Sequence, residues 1–127
     1  MGCLIQYAVR DGMLRAVVSG RAAGQGREIA AWIARDIARE AGRETCNRVL
    51  IDVRGVADRL GSLGALAMAS GEPGRVAGFR VAVVDAIEND PYYALHEMAA
   101  RARGYVLRCF TSVTDAVRWL RGVPGRD

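Results

Sequence analysis

The stretch Arg48-Val49-Leu50-Ile51-Asp52-Val53-Arg54-Gly55 constrains the fold more than any other part of the chain. Val49 to Val53 is almost continuously apolar and β-branched, as a strand buried on both faces requires. The run ends at Arg54-Gly55, and helical patterns lie on either side of it. A strand between helices belongs in the middle of an α/β sheet. In such sheets, binding sites gather just beyond the carboxyl ends of strands. Here that position holds Asp52, Arg54, Asp58, Arg59 and Ser62, the candidate regulatory or partner-binding residues.

The other elements follow from periodicity and turn chemistry. Leu4 to Val9 reads as a strand and Met13 to Ser19 as its antiparallel return, because Asp11-Gly12 suits a type I′ turn. From about Gln25 to Ala41, Ile29, Trp32, Ile33 and Ile37 recur at helical steps, and Gly42 is placed to end that helix. The central strand covers Asn47 to Val53, and a short helix is expected from Ser62 to Ser70. Phe79 to Val84 is a second buried strand, ending in Asp85. Asp90-Pro91 opens a third helix that Gly104 closes. Tyr105 to Phe110 is the last strand, and Ser112 caps a final helix that Gly122 and Pro124 stop. The order is β-β-α-β-α-β-α-β-α. Crossovers through helices make strands two to five parallel. The expectation is an α/β fold: a mixed, mostly parallel five-stranded sheet with four helices packed on it, as one domain over residues 1–127.

Composition narrows the chemistry. All 18 basic residues are Arg, so there is no lysine for a Schiff base or a phosphate-binding loop. Cys3, Cys46 and Cys109 are far apart, no CxxC exists, and His96 is the single histidine. That set does not make a metal site, and neither a metal nor a cofactor is expected. No apolar run approaches the ~20 residues of a membrane helix. The start, Met1-Gly2-Cys3-Leu4, leads straight into a strand pattern without a signal sequence, so a cytoplasmic protein is expected. Residues 1–98 carry 12 Arg and 12 acids, whereas residues 99–127 carry 6 Arg and 2 acids. The whole net charge of +4 therefore lies at the carboxyl-terminal end, where an anionic partner would settle. Those arginines are not interleaved with aromatic residues, so no specific nucleic-acid site is expected.

The hairpin, the strand Val49-Leu50-Ile51-Asp52-Val53-Arg54-Gly55-Val56 and the segment Ser62-Leu63-Gly64-Ala65-Leu66 together resemble the STAS domain. Arg108-Cys109-Phe110-Thr111 and Asp115-Ala116-Val117-Arg118-Trp119-Leu120 extend the likeness to nearly the whole chain. The chain looks most like the small stand-alone SpoIIAA-like bacterial proteins, also described as STAS/SEC14-like. The resemblance implies a non-enzymatic regulatory module of the anti-sigma factor antagonist kind, with a protein partner. Its SEC14-like side implies a small anionic or lipid-like ligand instead. In the antagonists a phosphorylatable serine opens the helix after this strand, in a pattern like Asp-Ser-Ser-Gly-Leu-Gly. This chain has Asp58-Arg59-Leu60-Gly61-Ser62-Leu63-Gly64, which puts Gly61 at the phosphoserine position and Ser62 on the pattern's glycine.

The residues themselves allow more than one role. Ser62 suits a helix N-cap. A phosphate on it would meet free helix amides, with Arg54 and Arg59 near enough to pair. Asp52 suits a strand-end residue that accepts from loop amides, and with Asp58 it could form a carboxylate pair for a cation or for acid–base work. His96 could serve an enzyme as a base, although no nucleophile is tied to it by motif. The reading that results has no catalytic residues.

Overall fold

The computed structural model describes residues 2–21, 26–57, 78–86 and 93–122. Strands β1 (Cys3–Arg10), β2 (Met13–Arg21), β3 (Arg48–Ala57), β4 (Arg80–Val84) and β5 (Val106–Phe110) form one sheet in the order β1-β2-β3-β4-β5. Helices α1 (Gly26–Arg43), α2 (Tyr93–Ala102) and α3 (Val113–Leu120) pack on it. β1 pairs antiparallel with β2, and every later pairing is parallel. This is the mixed, mostly parallel α/β sheet that the sequence implies. The helix expected from Ser62 to Ser70 falls outside the described residues.

Local chemistry explains the turns. Asp11 and Gly12 have φ of 53° and 73°, the positive values that a type I′ hairpin needs at both central positions. Gly104, with φ of 92°, closes α2, and Tyr105 N donates to Ala100 O at 3.1 Å. Ser112 caps α3, its hydroxyl accepting from Asp115 N at 3.3 Å. The Asp115 carboxylate lies 3.7 Å from Arg118.

α1 ends differently from the expectation at Gly42. The helix continues to Arg43, and Thr45 takes the left-handed conformation, with φ of 53°. Cys46 N donates to Ala41 O at 2.9 Å and Thr45 N to Gly42 O at 3.3 Å, the bond pair of a Schellman cap. The cap falls here because Cys46 and Ala41 are both buried, and their contact draws the chain in beneath the last turn. A β-branched residue is strained at this position. Thr45→Gly is therefore expected to stabilise the fold by about 0.5–1 kcal/mol in urea unfolding. An unchanged midpoint would show that the threonine is not strained there.

The central strands β3 and β4 bury both faces over Val49–Val53 and Val81–Val84, as their apolar runs require. On one face, Leu14, Val49, Ile51, Val81 and Val83 pack against Ile29, Ile33 and Ile37 of α1 and against Tyr93 and Ala100 of α2. The steps from β2 to β3 and from β4 to β5 run in the same direction, so right-handed crossovers place α1 and α2 on the same side. Trp32 is partly buried against this core. The Tyr7 hydroxyl of β1 donates to Asp36 Oδ2 of α1 at 2.6 Å and ties the edge strand down. On the other face, Met13, Leu50, Ala82 and Val84 lie beneath Ala116 and Leu120 of α3. There the Arg80 guanidinium stacks 4.3 Å from the Trp119 ring and donates from Nη2 to Trp119 O at 2.9 Å.

Candidate functional site

β3 does not stop at Val53 as the sequence reading expected, but runs on to Ala57 through a β-bulge. Asp52 is opposite Val17 and Gly55 is opposite Ser19, so Val53 and Arg54 together face Val18. An extra residue of this kind resets the alternation of side chains and bends the strand. Its consequence is direct: Val53 and Val56, three residues apart, both enter the α1/α2 core. Gly55 permits the bend, since a Cβ there would stand 3.2 Å from Val18 O and 3.3 Å from Ser19 Cβ.

The bulge also sets the first two candidate residues against each other. Asp52 Oδ1 accepts from Arg54 N at 3.1 Å and from Arg54 Nε at 3.0 Å. Asp52 Oδ2 accepts from Arg54 Nη2 at 2.8 Å. This is a bidentate guanidinium–carboxylate pair with an added backbone bond. The Asp52 side chain is 12% exposed and that of Arg54 48%, so the carboxylate anchors a guanidinium that faces outward. Burial pushes the Asp52 carboxyl up, but the hydrogen bonds and charge of Arg54 outweigh it and hold the group below its ordinary value.

A second acid ends β4. Asp85 is fully buried and accepts from the Tyr93 hydroxyl on Oδ2 at 2.6 Å and from Ala86 N on Oδ1 at 2.8 Å. Its own N–H donates to Phe110 O at 2.9 Å. One residue thus joins the end of β4, the start of α2 and the end of β5. Sequence reading noted Asp85 as a strand-ending acid but did not place it beside Tyr93. It missed their bond, for which two polar residues eight apart across a connection give no local signal. Asp52 shares the α3 face with Leu50, whereas Asp85 bonds Tyr93 within the α1/α2 side, so these two carboxyls do not form a pair.

Asp58, Arg59 and Ser62 lie outside the described residues, as do Tyr92 and the side chain of His96. Among the described residues, no group of three or more His, Cys, Asp or Glu is placed to hold a metal ion, and no helix is long and apolar enough to cross a membrane. A cleft of about 540 Å³ opens between Ala38 and Arg39 of α1, Cys46 and Phe79, at the amino ends of β3 and β4. It is therefore at the opposite end of the sheet from Asp52 and Arg54.

The arrangement matches the crystal structure of an anti-sigma factor antagonist from Mycobacterium paratuberculosis. The TM-score is 0.52 at 19% identity, over 94% of this chain and 95% of that one. The chain has the STAS/SpoIIAA-like fold. An uncharacterised protein with a SpoIIAA-like fold from Shewanella loihica also aligns with this STAS-like chain, at a TM-score of 0.45 and 17% identity over 94% of each chain. No protein-family model and no curated protein matches the chain.

Proposed function

We propose that this STAS-like chain is a non-enzymatic regulatory module that binds a protein partner through the carboxyl end of β3 and the residues that follow it. Asp52, Arg54, Asp58, Arg59 and Ser62 are its contact residues, and the cytoplasm is its place of action. The observation that carries the reading is the bulged end of β3. There a buried carboxylate fixes an outward-facing guanidinium beside exposed Gly55 and Ala57. A charged group held in place by its own strand costs little entropy when a partner docks on it. The similarity to an anti-sigma factor antagonist supports the same reading. No catalytic carboxylate pair is needed, since Asp52 is already engaged by Arg54.

The test is capture of partners from the source cells by tagged protein, identified by cross-linking and mass spectrometry. Ala57→Arg and Arg54→Glu are expected to lose the same partner, each by tenfold or more on the order of a buried contact's worth. Arg43→Glu, at the far end of α1, is expected to keep it. A partner that both loop-side variants retain would rule out this surface.

A further inference from the structure

A second, basic cleft lies on the α3 face of the sheet. Its volume is about 420 Å³, and it is lined by Arg15 of β2 and by Val113, Thr114, Val117, Arg118 and Arg121. Arg15 is in register with Leu50 of β3 and so belongs to the face on which α3 packs. Its Nε is buried and has no hydrogen-bond partner. Arg15 therefore lines the cleft with one donor that no protein group among the described residues satisfies. Arg118 and Arg121 are on the rim, with side chains 77% and 58% exposed. Arg118 lies 3.7 Å from Asp115, and Arg121 pairs with Asp11. Such exposed pairs are weak and exchange readily for a better acceptor. Three guanidinium groups thus meet two carboxylates, and two of the three come from the carboxyl-terminal stretch that carries the net positive charge.

We infer that this cleft binds a small organic phosphomonoester. Its phosphate would accept from the guanidinium groups of Arg15, Arg118 and Arg121 and from the Thr114 hydroxyl, while its apolar body rests on Val113 and Val117. Guanidinium forks match phosphate oxygens in both geometry and charge. The volume is within the usual range for small-ligand sites and exceeds what a bare phosphate fills. The site is distinct from the carboxyl end of β3 but close to it. Val17, two residues beyond Arg15, is in register with Asp52, about 7 Å further along the sheet by strand geometry. An occupant would therefore rest on the sheet face that also carries Asp52.

The phosphomonoester could be free in solution or be the headgroup of a lipid, and titration calorimetry with three probes separates these. The probes are 1-naphthyl phosphate, inorganic phosphate, and phosphatidylcholine vesicles containing phosphatidic acid, with 1-naphthol as the uncharged control. Saturable binding of 1-naphthyl phosphate, weaker binding of inorganic phosphate and none of 1-naphthol are expected. Arg15→Gln is expected to weaken binding by about tenfold or more, the worth of one charge-assisted hydrogen bond. Arg118→Gln, an exposed change that leaves the fold intact, is expected to weaken it severalfold. Arg43→Gln, remote from the cleft, should not alter it. Binding to the vesicles alone that is lost in Arg15→Gln would assign the phosphate to a lipid headgroup. Binding of none of the three probes would overturn the inference. So would affinities that neither Arg15→Gln nor Arg118→Gln changes.

Discussion

Tyr93→Ala is expected to lower the folding free energy by about 3–5 kcal/mol, and Tyr93→Phe by about 1–3 kcal/mol. The two variants measure different things. Tyr93 is 2% exposed and one of the largest buried side chains, so alanine leaves a cavity between α2 and the sheet. Phenylalanine keeps the ring and removes only the hydroxyl that donates to Asp85 Oδ2 at 2.6 Å. That bond reaches a carboxyl group with no exposure to water, where a lost donor is not replaced by solvent. Folded domains commonly have only about 5–15 kcal/mol in reserve, so the alanine variant should lose much of its cooperative transition. Urea unfolding followed by circular dichroism resolves both effects. A Tyr93→Phe variant as stable as the parent would show that the Asp85 bond only replaces one to water.

What the sequence made legible was set by rules of short range. The Asp11-Gly12 turn, the Gly104 cap and the Ser112 cap each depend on residues within a few positions, and each is where those rules put it. The buried strands were legible for the same reason, because a run such as Val81 to Val84 has one environment in an α/β sheet. The misreadings lie where a distant element decides. Glycine preference favoured Gly42 as the end of α1, but burial of Cys46 moved the cap to Thr45. Arg54-Gly55 looked like the end of a strand, but pairing with Ser19 and Gly20 of β2 carries β3 on to Ala57. Arg15 drew no attention in the hairpin, since only α3, about a hundred residues later in the chain, makes a cleft around it. At the candidate site, Asp52 and Arg54 were legible as residues, but the bulge that joins them was not.

That bulge makes Asp52 the residue whose replacement should affect both stability and binding. Asp52→Ala is expected to cost about 2 kcal/mol at neutral pH, because Arg54 N and the Arg54 guanidinium lose their acceptor together. Asp52→Asn should cost about half as much, since its amide oxygen can still accept from Arg54 N while the charge is gone. The pH dependence distinguishes the charge from the geometry. The Asp52 carboxyl is held below the ordinary aspartate value of 3.8, with burial opposing and the Arg54 bonds and charge prevailing. Unfolding returns the group to that ordinary value, so the unfolded chain binds the proton more readily. Ionised Asp52 therefore stabilises the fold fully above about pH 4, and the contribution disappears as pH falls through the depressed native value. The gap between the parent and Asp52→Asn should be widest near pH 7 and shrink by pH 3 in urea unfolding at each pH. A gap that stays constant would mean that the pair acts through shape alone. Both variants should also weaken partner capture, because an unanchored Arg54 must be ordered again when the partner docks. If Asp52→Asn bound the partner as tightly as the parent at neutral pH, the outward guanidinium would not be part of the contact.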